Sequence, residues 1–280
     1  AALSYEWRDA YTPYQPNDRI GVNIFAIWEM FRPLRDGACV HFARFRELMN
    51  PIDLVRFWQR TGVTEMLFTP SALEKALMAL PDETIPNLSL QRIILNGEVV
   101  TDELIEAARP RLPNVALLNL YSICETHDIS ITDVTARVQS KGPVSVGVPM
   151  SHLKAIVLDD NDQPCPVGQP GLLHFEGPDM LGPGYINRPE ETSLRFRTLW
   201  INGREARLND TGDQAYIDSD RAVFVIGRIA HMLKLRGHSI QTRELTESLR
   251  GYIGFQQAVP WIKDIPGQGK TLVLYYTCDA

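Results

Sequence analysis

No apolar run in the chain approaches about 18 residues, so the sequence offers no segment long enough for a membrane-spanning helix. Cysteine is scarce. Cys39, Cys124, Cys165 and Cys278 are the four present, and their wide spacing fits neither a metal-ligand pattern nor a disulfide framework. Reduced thiols in a cytoplasmic protein are the simpler expectation. A basic surplus is also missing: 28 Lys and Arg face 34 Asp and Glu, for a formal net charge of −6. Neither nucleic acid nor a membrane surface is therefore expected as a partner. The chain has no internal repeat, no low-complexity segment and no signal peptide. It opens at Ala1-Ala2-Leu3 without Met, and reads as a piece cut from something longer.

What is present is apolar content and local punctuation. With 44% hydrophobic residues over 280 positions, the chain can bury a sizeable core and more than one domain. A first helix is predicted over Leu3 to Tyr11, ending before Pro13. Arg19 to Trp28 reads as strand then turn, and Glu29 to Leu34 as a short helix ended by Gly37. In Pro51 to Thr61, the residues Ile52, Leu54, Val55, Phe57 and Trp58 make an apolar face, with Gly62 as the stop signal. Met66-Leu67-Phe68 is a buried strand, after which Ser71 is expected to cap a helix running to Leu80. Leu90 to Leu95 reads as a strand, Asp102 to Ala108 as a helix, and Val115 to Leu118 as a strand. Such alternation predicts a parallel sheet covered on both faces. After Gly142, short strands and Gly/Pro turns such as Gln163-Pro164-Cys165-Pro166 mark a small β-rich region. Gly227 opens a further unit, with a strand near Met232 to Leu235 and a helix from Thr242 to Leu249. The predicted class is α/β: parallel sheets flanked by helices, a β-rich region, and part of a small α+β C-terminal subdomain.

Chemistry concentrates at Asn119-Leu-Tyr-Ser-Ile-Cys-Glu125, where polar residues follow the apolar run Val115 to Leu118. Ligands in open α/β sheets lie outside the carboxyl ends of strands. Tyr121 is thus placed to offer a ring face to a base, and Glu125 a carboxylate to a metal ion. Alone this is a weak signal, because a strand followed by a polar turn is usually only a turn. Two other patterns are set aside. Gly267-Gln268-Gly269-Lys270-Thr271 mimics a phosphate-binding loop, but Asp264 stands where its first glycine belongs, so a hairpin turn before Leu272 to Tyr276 is expected. His127 and Asp128 suggest a base with its orienting carboxylate. Neighbours on a strand point to opposite faces, however, so contact between them is not assumed.

Further motifs follow in a fixed order: Asn23-Ile-Phe-Ala-Ile-Trp-Glu-Met-Phe31, Gly171-Leu-Leu-His-Phe-Glu-Gly177, Gly184-Tyr185, Arg188-Pro-Glu-Glu-Thr192, Thr211-Gly212-Asp213, Gly227-Arg228 and Lys234-Leu235-Arg236-Gly237. With Asn119 to Glu125, this order resembles the adenylate-forming enzymes, most closely the adenylation domains of nonribosomal peptide synthetases. The resemblance implies activation of a carboxylic acid by ATP and Mg2+ to an acyl adenylate. It further implies transfer to a phosphopantetheinyl carrier protein or to coenzyme A. It divides the chain into a partial core, 1–226, and part of a mobile C-terminal subdomain, 227–280. It assigns Glu125 to the magnesium ion, Tyr121 to adenine, Asp213 to the ribose hydroxyls, Arg228 to ribose or phosphate, and Gly97 to cofactor contact.

Departures from the family pattern are informative too. Cys124 replaces a Thr that touches the α-phosphate, and a thiol is a weaker donor. Ser122 and Ile123 replace Gly and Pro, and Ala230 takes the hinge position. By this alignment the phosphate loop and the C-terminal catalytic lysine lie outside the 280 residues, so the piece alone is expected to be inactive. In the acid pocket, Ile24 stands where amino-acid-activating relatives place an Asp for the α-ammonium group. Phe25, Trp28, Phe68, Ile94, Asn96, Leu120, Asp128 and Ile129 complete the pocket. Two substrate readings follow. Either an aryl, keto or hydroxy acid lies against the apolar wall with Asn96 bonding one oxygen, or Phe25, Trp28, Phe68 and Asp128 surround a quaternary or distal amine. A degenerate scaffold domain and an acyl-CoA ligase are the alternative functions.

Overall fold

The computed structural model describes residues 9, 12–24, 29–137, 143–177, 180–228, 232–235, 238–242, 245–246, 248–249, 257–265 and 269–277. The expected first helix, except for Asp9, lies outside them, as do Phe25, Trp28 and Ala230. Contacts divide the chain into two units. One comprises Ala1–Thr211 with Ala215–Val225, the other Gly212–Gln214 with Ile226–Ala280.

The first unit is built on a six-stranded sheet of β1 (Arg19–Val22), β2 (Cys39–Phe42), β3 (Glu65–Phe68), β4 (Arg92–Leu95), β5 (Ala116–Ile123) and β6 (His127–Asp133). Its order is β2-β1-β3-β4-β5-β6. All pairs are parallel except β5–β6. The connections carry α1 (Phe31–Arg35), α2 (Phe45–Met49), α3 (Pro51–Thr61), α4 (Pro70–Met78) and α5 (Asp102–Arg111). Helix α3 forms as its local signals require. Pro51 opens it, the Asn50 side chain accepts from the Ile52 and Asp53 N–H groups, and Gly62 ends it at φ 65°. Leu54, Phe57 and Trp58 are buried, whereas Ile52 is exposed despite its place in the expected apolar face.

These three side chains join Leu73, Leu77, Leu104 and Ile105 of α4 and α5 over Met66, Phe68, Ile93 and Leu95 of the sheet. The opposite face holds a smaller cluster of Leu67, Ile94, Leu118, Leu120 and Ile131, with Ile24 packed against it. Helical residues thus serve one of these two clusters among the described residues. Right-handed crossovers that run in one direction, from β2 through β3 and β4 to β5, lay successive helices on the same side.

Two elements differ from the sequence expectation. Strand β5 continues through Asn119–Ile123, and the turn comes at residues 124–126. Pairing with β6 and side-chain partners satisfy the polar residues: Asn119 Nδ2, for example, donates to the Ser145 carbonyl at 2.9 Å. Helix α4 starts at Pro70 behind Thr69 and stops at Met78, so Ser71 lies in its first turn and is not the cap. The Ser71 N–H and hydroxyl both donate to the Glu98 carboxylate at 2.9 Å. A carboxylate from the loop after β4 therefore serves the helix N-terminus, where orphan N–H groups and the helix dipole favour negative charge.

The β-rich region contains β7 (Lys154–Leu158), β8 (Gly171–Glu176), β9 (Phe196–Ile201), β10 (Arg204–Ile217) and β11 (Val223–Arg228), preceded at β9 by α6 (Pro189–Arg195). The sheet order is β11-β10-β8-β7, with β9 on β10. In the second unit, β12 (Met232–Leu235) pairs antiparallel with β13 (His238–Gln241), and residues 242, 245–246 and 248–249 are helical. A hairpin of β14 (Gln257–Ile265) and β15 (Gly269–Thr277) places Ile265 opposite Gly269; Gly267 and Gln268 of the expected turn lie outside the described residues. No helix among the described residues is long and apolar enough to cross a membrane.

Candidate functional site

The carboxyl ends of β4 and β5 meet through Asn96, which is buried. Its N–H donates to the Phe68 carbonyl at 3.0 Å, and its Nδ2 donates to the Leu120 carbonyl and the Ser122 hydroxyl, each at 3.0 Å. Both amide donors are therefore taken by β5. Gly97 follows at φ 88°, a left-handed conformation that glycine adopts without strain, and the chain turns there toward Glu98. Tyr121 is half-buried, its ring 6.1 Å from that of Phe175 at an interplanar angle of 40°. Cys124 is an exposed free thiol in the turn after β5.

Glu125 sits half-buried in the same turn, and its Oε1 accepts a hydrogen bond from the Tyr185 hydroxyl. Tyr185 is the residue that sequence reasoning missed as a participant. Burial and then the bond to Glu125 push its phenol pKa up to about 12, so it remains a donor at neutral pH. Local structure holds it in place. The Tyr185 N–H donates to Thr192 Oγ1 at 2.9 Å, and that hydroxyl donates to the Arg188 carbonyl at 2.7 Å. A Cβ on Gly184, at φ 139°, would collide with the Thr192 side chain. The Tyr185 ring meets Phe196 edge-on at 5.6 Å. The signal was present in Gly184-Tyr185 and Thr192, but the contact spans 60 residues of sequence.

Of the pocket positions, Ile24, Ile94 and Leu120 share one apolar cluster. Phe68 does not join them; it packs in the helix-covered core, edge-on to Trp58 at 6.1 Å. Ile129 belongs to a third cluster, with Phe175 and Leu173. Asp128 is buried, and its Oδ1 lies 3.5 Å from His127 Nδ1. The two side chains approach because His127 has φ 67°, which breaks the strand alternation that would have separated them.

In the second unit, Asp213 is buried on β10 beside Gly212, which has φ 73°. Arg228 Nε on β11 donates to Asp213 Oδ1 at 3.2 Å, with the Arg228 side chain 59% exposed. Only the Arg228 half of this pair is open to solvent; the Asp213 side chain is 6% exposed. The pair presents a carboxylate and a guanidinium fork together, groups suited to hydroxyls and phosphate oxygens.

No group of three or more His, Cys, Asp or Glu residues that could hold a metal ion occurs among the described residues. A lone hard carboxylate such as Glu125 is a donor of the kind Mg2+ takes, with waters and substrate phosphates as its further ligands.

The fold and these motifs define a class: the AMP-binding enzyme family model matches residues 22–186, and the chain belongs to that family of adenylate-forming enzymes. Glycine betaine reductase ATRR of Emericella nidulans is 34% identical over 279 residues, which are 99% of this chain and 22% of that protein. A dimodular nonribosomal peptide synthase of Bacillus subtilis is 29% identical over 261 residues, 90% of this chain and 11% of that one. The chain therefore spans a minor part of these relatives. Among solved structures, holo-AB3403, a four-domain nonribosomal peptide synthetase bound to AMP and glycine, is 25% identical with a TM-score of 0.76. That match covers 99% of this chain and 21% of the synthetase chain. O-succinylbenzoate coenzyme A synthetase (MenE) of Bacillus subtilis, solved with ATP and magnesium, has a TM-score of 0.78 at 20% identity. It covers 98% of this chain and 55% of that one, a likeness of fold.

Proposed function

We propose that this chain is part of an adenylation unit that joins a carboxylic acid to ATP and passes the acyl group, as a thioester, to the phosphopantetheine arm of a carrier protein. In the first step an acid oxygen attacks the α-phosphorus, the bond to the bridging oxygen of the β-phosphate breaks, and pyrophosphate leaves with the electron pair. In the second, the thiol sulfur attacks the acyl carbon, AMP leaves, and the thiol proton is released. Bound Mg2+ supplies charge neutralisation on the phosphates. Glu125 would hold it, Tyr121 would face adenine, Asp213 would accept from the ribose hydroxyls, Arg228 would reach ribose or phosphate, and Gly97 would contact the cofactor. Cys124 gives the α-phosphate only a weak donor. Residues 227–280 form part of the mobile subdomain. The likeness to synthetases supports a carrier protein as acceptor, with coenzyme A as the alternative thiol. The free thiols of Cys39, Cys124 and Cys165 suit a cytoplasmic setting.

One observation carries the substrate reading: Ile24 packs against Leu67, Ile94, Leu118, Leu120 and Ile131. A primary α-ammonium group at such a position loses the water that accepts its N–H hydrogen bonds and gains no carboxylate in return, whereas a quaternary nitrogen has no N–H to satisfy. The acid activated therefore lacks a conventionally bound α-amino group. Among aryl, keto, hydroxy and betaine-like acids, the betaine is favoured by the 34% identity to the relative named glycine betaine reductase. ATP–pyrophosphate exchange by the polypeptide of the complete reading frame, across such a panel, tests this. Exchange confined to acids without a free α-amino group is expected; exchange with no acid would indicate a non-catalytic scaffold.

A further inference from the structure

We propose that Tyr185 is the positioning residue for Glu125, holding one carboxylate oxygen so that the other is presented to a divalent cation carried by ATP. This rests on the reading of Glu125 as the metal-holding carboxylate. Tyr185 is the hydrogen-bond partner of Glu125 among the described residues. A carboxylate has two oxygens and about four lone-pair sites. The phenol occupies Oε1 and leaves Oε2 to a ligand.

A half-buried glutamate in a turn has several rotamers, and ordering it at the moment of binding weakens affinity. The phenol does that ordering beforehand, and it is itself fixed from three directions. Thr192 Oγ1 accepts from its backbone N–H at 2.9 Å, the Phe196 ring meets its ring at 5.6 Å, and the Gly184 backbone fits against Thr192 with no room for a Cβ. The segment from Gly184 to Thr192 thus acts on the turn after β5, with Tyr185 as the point of contact. Magnesium demands well-placed oxygens and surrenders its waters reluctantly, so a single protein ligand must be well aimed.

The test uses the polypeptide of the complete reading frame with Mn2+ and ATP as the probe, electron paramagnetic resonance for affinity, and the NMR signal of 13C-labelled Tyr185, assigned by its loss in Tyr185→Phe. In the wild type, Mn2+ with ATP should broaden the Tyr185 signal, and Glu125→Gln should abolish that broadening. Tyr185→Phe should raise the Mn2+–ATP Kd by roughly three- to tenfold, the worth of one ordinary hydrogen bond, while melting as the wild type does. Thr192→Val, which keeps the phenol but frees its backbone, should shift the Kd in the same direction by less. It carries the test should Tyr185→Phe not fold. If Glu125→Gln weakens binding but neither Tyr185→Phe nor Thr192→Val does, the positioning role is overturned and the metal role of Glu125 stands. If Glu125→Gln leaves Mn2+–ATP binding unchanged, or the wild type does not bind it, the reading of Glu125 fails and the proposal falls with it.

Discussion

At the scale of single residues, Ile24 and His174 make the sharpest predictions. Ile24→Asp introduces a carboxylate into a cluster of Leu67, Ile94, Leu118, Leu120 and Ile131. Burying such a group without a partner costs at least about 1–3 kcal/mol. The variant should lose roughly tenfold or more in kcat/KM on the native acid and gain on an α-amino acid of similar shape, measured as pyrophosphate exchange. His174 is fully buried, with Nδ1–H donating to the Leu172 carbonyl at 3.0 Å and Nε2 unpartnered. Burial lowers its pKa below the ordinary 6.5, against the opposing pull of the Leu172 carbonyl and of Asp210 and Asp162, with Arg197 adding to the decrease. The unfolded chain then binds a proton that the folded chain refuses, so stability is complete above pH 6.5 and falls as pH drops below it. The melting temperature should decline from pH 7 toward pH 5, and His174→Gln should flatten that decline; an unchanged slope would exclude His174 as its source.

At the scale of elements, legibility followed the range of the interactions. Helix α3 was readable because Pro51, the apolar spacing and Gly62 are all local signals. The start of α4 was not, because its N-terminus is served by Glu98, 27 residues away in sequence. The continuation of β5 past Leu118 was hidden for the same reason: its polar side chains find partners on other strands and loops. Family likeness put Phe68 in the pocket by position, yet strand alternation turns it into the helix-covered core. Such likeness transfers positions along a chain more safely than it transfers faces of a sheet. Glu98→Ala should destabilise the first unit by about 0.5–2 kcal/mol, as loss of a helix cap does, read from the urea midpoint. Ser71→Ala should cost less, because its N–H keeps the Glu98 acceptor. Equal costs would mean that the hydroxyl, not the helix N-terminus, is what Glu98 holds.

At the scale of the whole molecule, the order of motifs in the sequence, the mixed α/β fold and the family match over residues 22–186 agree. The division into Ala1–Thr211 with Ala215–Val225 and Gly212–Gln214 with Ile226–Ala280 assigns Glu125 to the first unit and Asp213 with Arg228 to the second. The proposed chemistry needs both sets, so neither Glu125→Gln nor Asp213→Asn should leave acyl-adenylate formation intact. The central claim is that the acid activated lacks a conventionally bound α-amino group. The most direct measurement compares specificity constants for ATP–pyrophosphate exchange, by the polypeptide of the complete reading frame, between an α-amino acid and its betaine, keto or hydroxy counterpart. We predict that a counterpart without a free α-amino group is preferred by at least roughly fivefold, the equivalent of the smallest unpaired-group cost above. A strong preference for the α-amino acid, undiminished by Ile24→Asp, would contradict the account.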